Sequence, residues 1–377
     1  MATSLEAAID PNNRLTFLLD WELTLKCNLD CSYCDTGIYG GHDNSTRHPE
    51  LAACIDTIKF MFDYVDRKIR LRPQGSKHVV LNVYGGEALH HPDIVAILKS
   101  ARQQHQPYKD SWTLTITTTT NALVTLQKLQ NIIPLIDEFT VSYHTESTDK
   151  QKQQFLDNLL AIKAAGVRQK CIVLMHADPV LFADAQNMIA WLQQHDIKHL
   201  PRQLDHRKED IQFNYAPQQV KWFDNLYTEK SNTATASIPA ELVDQTTTDL
   251  ADTGRACCGG RQLCADQNYR KRDFFVVNKF PDWYCGVDQF FLYIKQVNGE
   301  VFVNKDCKMN YQGEVGPIGT LHDSDKILAQ MDTVPVIQCK KSRCYCGLCA
   351  PKACDLNTYK QIMKKYEISD SNLLSKT

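Results

Sequence analysis

The chain has 377 residues, 43% of them hydrophobic, and 42 Lys and Arg stand against 44 Asp and Glu for a formal net charge of −2. That length suits one large domain plus a smaller one, and so even a charge balance offers no electrostatic footprint for a nucleic acid partner. No apolar run approaches the length of a membrane span, and the N-terminal segment lacks the basic and apolar regions of a secretory signal.

Apolar, β-branched runs predict strands over residues 15–25, 79–84, 112–118, 139–143, 171–176 and 197–204. Helical periodicity lies between them, over 49–65, 92–103, 123–133, 149–165 and 179–195. Pro49, Pro92 and Pro179 are each placed to be a first helical residue. Thr148 followed by Gln151 reads as a capping box, and Gly166 fits just past a helix end. Six strands alternating with helices predict a parallel α/β sheet, a partial barrel. From 215 to 253 the chain is polar, with one helix expected over 218–227. Beyond Cys257 it is studded with cysteine, with a hairpin over 290–303 turning at Asn298 and Gly299 and a last helix over 356–366. Arg270, Lys271 and Arg272 form a basic cluster that reads as a solvated face.

Fifteen cysteines without a secretory signal point to a reducing, cytoplasmic compartment. There, dense cysteine spacing reads as metal binding or catalysis. Cys54 and Cys171 stand alone, on an apolar helix face and in an apolar strand, as inert core residues. Cys27, Cys31 and Cys34, spaced C-x3-C-x2-C, directly follow the first strand. Gly85, Gly86 and Glu87 follow the second, Thr120 and Asn121 the third, and Ser142 and His144 end the fourth. His176 ends the fifth, and Arg202, Gln203 and Asp205 the sixth. Ligands of parallel barrels gather at the carboxy-terminal strand ends, so these residues predict one active site on one rim. Three thiolates can hold three irons of a cubane [4Fe–4S] cluster and leave the fourth iron open for chemistry. A structural zinc site with His42 or His48 as fourth ligand is the alternative. The paired glycines let backbone approach a ligand and expose amides, although a tight strand-to-helix turn accounts for them equally well.

Cys27, Cys31, Tyr33 and Cys34 after the first strand, with Gly85, Gly86 and Glu87 after the second, resemble the radical S-adenosylmethionine (radical SAM) superfamily over about residues 15–205. The resemblance implies a partial (β/α)6 TIM-like barrel with a smaller cysteine-rich carboxy-terminal iron–sulfur domain. Cys27, Cys31 and Cys34 would bind a [4Fe–4S] cluster whose open iron chelates S-adenosylmethionine. Tyr33 would lie near the adenine, and Gly85, Gly86 and Glu87 near the methionine moiety. Asn121, Ser142, His144 and Arg202 would complete the cofactor contacts. Ala88 stands where the family usually has proline, and Ala122 where its frequent Thr-Asn-Gly has glycine. The implied chemistry is reductive cleavage of S-adenosylmethionine to a 5′-deoxyadenosyl radical that takes a substrate hydrogen, with a flavodoxin or ferredoxin as electron donor.

The tail carries ten cysteines: Cys257, Cys258, Cys264, Cys285, Cys307, Cys339, Cys344, Cys346, Cys349 and Cys354. Zinc suits such loops. The run from Cys285 through Gly299 to Cys307, with Gly319 and Leu321 beyond, resembles a SPASM or twitch domain instead, which implies one or two auxiliary [4Fe–4S] clusters. Cys258, Cys264 and Cys285 suit a first, and the Cys339–Cys354 group a second. The order expected is a barrel over 1–215, a connector over 216–253 and the auxiliary domain over 254–377. Cys257 would be a spare thiol able to donate a hydrogen atom. Asp288, then Glu146, is the candidate base for a coupled oxidation; each also fits a solvated surface acid. No leader-recognition domain of several dozen residues fits ahead of Cys27. The expected substrate is nevertheless a peptide, then a small metabolite. The alternative of another class is a non-catalytic zinc or iron–sulfur protein.

Overall fold

The computed structural model describes residues 15–34, 43–71, 77–204, 214–234, 282–305, 308, 310–330, 334–340, 352–364 and 373–374. Six parallel strands lie side by side in chain order: β1 (Leu15–Thr24), β2 (Lys77–Gly85), β3 (Thr113–Thr120), β4 (Glu138–Tyr143), β5 (Arg168–Met175) and β6 (His199–Gln203). The crossovers hold α1 (Leu51–Arg70), α2 (Ile94–His105), α3 (Leu126–Ile132), α4 (Asp149–Ala164) and α5 (Pro179–Gln194), and α6 (Pro217–Ala234) follows β6. This is the partial barrel that the alternation predicts. Period-two packing explains the strands. In β4, Phe139, Val141 and Tyr143 are buried while Thr140 and Ser142 are half-buried. In β1, Phe17, Leu19, Trp21 and Leu23 are buried on one face, and Thr16, Asp20, Glu22 and Thr24 are buried on the other.

The helix ends carry most of the expected chemistry. At the start of α4, the Gln151 amide donates to Thr148 Oγ1 and the Thr148 amide donates to Gln151 Oε1 at 2.9 Å, closing the capping box. Gly166, at φ +70°, follows the helix and donates to the Lys163 carbonyl at 2.9 Å. Pro179 is the first residue of α5, and Asp178 accepts from the amides of Val180 and Leu181. Pro49 and Pro92 do not take the first helical position: they precede the N-caps Glu50 and Asp93. The reason is His91. Its Nδ1 accepts the Asp93 amide at 3.0 Å and its Nε2 donates to the Pro49 carbonyl at 2.9 Å. One imidazole thereby fixes the starts of α1 and α2 to each other.

The tail rejoins the barrel. β7 (Tyr284–Cys285) is the centre of a separate small sheet. β8 (Phe291–Lys295) runs parallel to β1 along its free edge, with Leu18 opposite Phe291 and Glu22 opposite Lys295. β9 (Glu300–Phe302) and β10 (Gly319–Thr320) extend it antiparallel, so one sheet runs β10-β9-β8-β1-β2-β3-β4-β5-β6. The expected hairpin turns at Asn298 and Gly299, the glycine at φ +68°. Then come α7 (Ser324–Ala329), β11 (Val334–Pro335), β12 (Ile337–Gln338), β13 (Lys352–Ala353), α8 (Leu356–Lys364) and β14 (Leu373–Leu374). β12 and β13 flank β7. Among the described residues, no helix is long and apolar enough to cross a membrane.

α1 joins barrel and tail. Lys68 Nζ meets Asp288 Oδ2 at 2.9 Å, with both side chains at most 1% exposed. Tyr64 and Tyr311 share a hydroxyl hydrogen bond of 3.1 Å, and Arg67 donates to the Leu328 carbonyl at 2.9 Å. Removing one member of a buried pair strands the other charge. Lys68→Met should therefore cost about 3–5 kcal/mol, read as a lower urea midpoint. Lys68→Met with Asp288→Leu removes both charges and should recover most of that loss.

Candidate active site

The loop that leaves β1 carries Cys27, Cys31 and Cys34, and the segments that follow β2, β3 and β4 hold it. Its first half lies against the turn after β2. The Gly86 amide donates to the Thr24 carbonyl at 2.7 Å, and the Glu87 amide to the Lys26 carbonyl at 2.8 Å. A Cβ at Gly85, whose φ is +149°, would come within 2.1 Å of the Thr24 oxygen, and one at Gly86 within 2.5 Å of the Leu25 and Lys26 oxygens. The glycines are needed because two backbones touch here. The Gly86 amide, expected to be exposed to a ligand, is donated within the chain.

Glu87 is 1% exposed and ties β2 to β3. Its carboxylate accepts from Thr120 Oγ1 at 2.7 Å, the Asn121 amide at 2.6 Å and the Leu89 amide at 2.9 Å. Burial raises its pKa, and the hydrogen bonds from Thr120, Asn121 and Leu89 oppose that rise. Asn121 Nδ2 donates to Asn28 Oδ1 at 2.7 Å, and Asn28 Nδ2 donates to the Leu123 carbonyl at 2.9 Å. The loop is thus pinned to the end of β3 beside Cys27. Ala122 holds the turn at φ +55°, the left-handed conformation that explains why the related motif has glycine there.

The second half of the loop docks on the turn that follows β4. The Ser32 amide donates to Glu146 Oε2 at 2.7 Å, and the Ser32 hydroxyl donates to Glu146 Oε1. His144 Nδ1 lies 2.9 Å from the Tyr33 hydroxyl and 3.3 Å from Cys31 Sγ. The Tyr33 and His144 rings are stacked, with centroids 6.0 Å apart and planes 10° from parallel. His176, after β5, approaches Glu146 at 3.8 Å. The strand-end residues expected to converge therefore do so from β1 to β5. Ser142 and Arg202 lie on their strands with half-buried side chains, opposite Ile172 and Leu174 in register. Asp205 and His42 lie outside the described residues.

The donor set suits an iron–sulfur cluster. Cys31 is buried, Cys27 half-buried and Cys34 exposed. Burial, against a lowering hydrogen bond from the Leu29 amide and with help from Glu87 and Cys34, pushes the Cys27 thiol up to about 11; burial, against a lowering hydrogen bond from Tyr33 and with help from Glu146 and the other two cysteines, pushes the Cys31 thiol up to about 12. Iron bound there would take these cysteines as thiolates and displace their protons. Among the described residues, no three His, Cys, Asp or Glu side chains form a ready metal cage. His48, the alternative zinc ligand, instead hydrogen-bonds Thr24 Oγ1 through Nδ1 at 3.1 Å and packs edge-on against His91.

Asp288 is not at this rim. It precedes β8, on the amino-terminal side of the Leu18–Phe291 pairing. Six residues of β1 separate Leu18 from Thr24, about 20 Å at ~3.3 Å per residue. It is neither a solvated acid nor a base beside the cysteine loop; it is 0% exposed and paired with Lys68. Glu146 is at the rim, but occupied with Ser32. In the tail, Ile337 and Lys352 flank Cys285, and Gln338 and Ala353 flank Tyr284. The Cys339 amide donates to the Trp283 carbonyl at 2.8 Å. Facing residues of antiparallel strands share a face, as do alternate residues of one strand. This register brings Cys285 and Cys339, and Cys354 one residue beyond β13, to one face of the small sheet. Cys257, Cys258, Cys264, Cys307, Cys344, Cys346 and Cys349 lie outside the described residues.

Sequence reasoning missed the polar lining beneath the rim. Asp20 and Glu22 are 7% and 1% exposed on the polar face of β1. Asn82 donates to Asp20 at 2.7 Å, Thr117 to Asn82 at 3.2 Å, and Tyr293 to Glu22 at 2.8 Å. The signal was two acids at i and i+2 inside an otherwise apolar strand. The glycine contact is testable without any cofactor. Gly86→Ala should destabilise by about 1–3 kcal/mol and speed tryptic cleavage after Lys26, whereas Gly166→Ala, whose Cβ meets nothing within 4 Å, should leave that cleavage unchanged.

No family model and no curated protein matches the sequence. Among solved structures, native anSMEcpe with bound AdoMet superposes with a TM-score of 0.51 at 11% identity, over 83% of this chain and 80% of that chain. The same protein with AdoMet and a Kp18Cys peptide gives 0.49 at 12% identity, over 84% and 80%. At such low identity the likeness is one of fold: the chain has the α/β partial-barrel architecture of an AdoMet-bound protein.

Proposed function

We propose that the protein is a radical SAM enzyme acting on a peptide. The observation that carries this reading is the Cys27–Cys34 loop at the carboxy-terminal rim of the parallel sheet, fastened to the Gly85–Glu87 turn. Cys27, Cys31 and Cys34 would hold a [4Fe–4S] cluster. Tyr33, Gly85, Gly86, Glu87, Asn121, Ser142, His144 and Arg202 would make the contacts to S-adenosylmethionine. Once bound, the cluster supplies the electron that cleaves S-adenosylmethionine to a 5′-deoxyadenosyl radical, which abstracts a substrate hydrogen. The protein's part is to dock the cofactor, aim one C–H bond and exclude water. Asp20, Glu22, Asn82, Thr117 and Tyr293, hydrogen-bonded across neighbouring strands, would orient a polar substrate.

The tail would hold auxiliary clusters, with Cys285, Cys339 and Cys354 among the ligands; the register that puts these three on one face supports this. An electron donor such as a flavodoxin or ferredoxin would load the first cluster. The peptide assignment rests on the likeness of residues 285–321 to SPASM and twitch domains.

Anaerobic reconstitution with iron and sulfide, followed by metal counting and assay of 5′-deoxyadenosine, tests the reading. More than one [4Fe–4S] cluster is expected. Cys27→Ala/Cys31→Ala/Cys34→Ala should lose the deoxyadenosine yield altogether while keeping the tail iron. A protein that takes up zinc alone and never forms deoxyadenosine is not this enzyme. Deuterium transfer into deoxyadenosine from a labelled peptide, but not from labelled small metabolites, would settle the substrate class.

A further inference from the structure

We propose that His144 is a positioning residue that donates a hydrogen bond through Nδ1 to the Cys31 sulfur, and so sets how readily a cluster held there is reduced. The inference rests on the radical SAM reading. Its basis is that the end of β4 grips three consecutive residues of the cysteine loop. His144 reaches Cys31 and Tyr33 from a single ring nitrogen, at 3.3 and 2.9 Å. Glu146, in the turn that follows β4, where the Ser147 amide donates to the His144 carbonyl at 3.1 Å, holds both the amide and the hydroxyl of Ser32. Stacking on Tyr33 fixes the plane of the imidazole.

A sulfur that ligates iron is an acceptor only, so the polar atoms facing it serve as donors. A donor stabilises negative charge on the sulfur, and a reduced cluster carries more of that charge than an oxidised one. The hydrogen bond therefore favours reduction. His144, expected among the cofactor contacts, has its Nδ1 against the cysteine loop.

The test compares reconstituted wild type with His144→Leu, His144→Asn and Tyr33→Phe. The readouts are iron content and the midpoint potential of the electron paramagnetic resonance signal that changes when S-adenosylmethionine is added. His144→Leu should shift that midpoint to more negative values. His144→Asn, whose amide nitrogen falls near the place of Nδ1, should move it back towards wild type. Tyr33→Phe should give a smaller shift of the same sign. If His144→Leu loses iron that His144→Asn retains, the positioning role stands on that contrast. Wild-type midpoints in every variant that holds iron overturn the inference and leave the enzyme reading intact. A wild type that binds no iron overturns both.

Discussion

The turn after β2 lies so close to the loop after β1 that a side chain at Gly85 or Gly86 would overlap the carbonyl oxygens of Thr24, Leu25 and Lys26. This contact of backbone with backbone fixes where the cysteine loop starts. The hydrogen bonds from Gly86 and Glu87 into the loop need that closeness, because an added Cβ would force the strands apart. Glu87 then spends its buried carboxylate on Thr120, Asn121 and Leu89. The position of Cys27 is thus set through three strand ends, none of which has to touch a ligand.

The remainder of the loop is held by a different kind of contact. From Cys31 to Tyr33 the partners are side chains of the turn after β4, namely an imidazole and a carboxylate. Backbone contact fixes position rigidly, whereas side chains add charge and dipole that act on whatever the sulfurs bind. The two halves of the loop therefore do separate jobs. On the polar face of β1, hydroxyl, amide and carboxyl groups satisfy one another across strands, so the polar groups there are already oriented.

Much of this was legible in the sequence. The six parallel strands and five intervening helices follow from period-two and period-3.6 patterning, and the capping box at Thr148 was read from two residues. Pro49 and Pro92 misled because proline chemistry says nothing of the His91 ring that sets both helix starts from a distance in sequence. The rim residues were found because strand ends can be located, and strand ends are where parallel barrels gather function. Partners remained hidden: no local pattern shows that Glu146 holds Ser32, or that Asp288 pairs with Lys68, 220 positions away. Asp20 and Glu22 left a signal in the alternation of β1, but buried acids in an apolar strand point to a function only once their neighbours are known.

The pairing of β8 with β1 has a consequence for how the chain acquires its structure. β1 is formed from the first residues described, yet one of its two neighbours lies about 270 positions later. Until that segment has been synthesised, a strand with one apolar face has an open edge able to pair with other chains. Contacts so far apart in sequence form slowly. The nascent barrel therefore passes through a stage at which it is prone to aggregate, and it leaves that stage only when its own tail arrives to cover the edge.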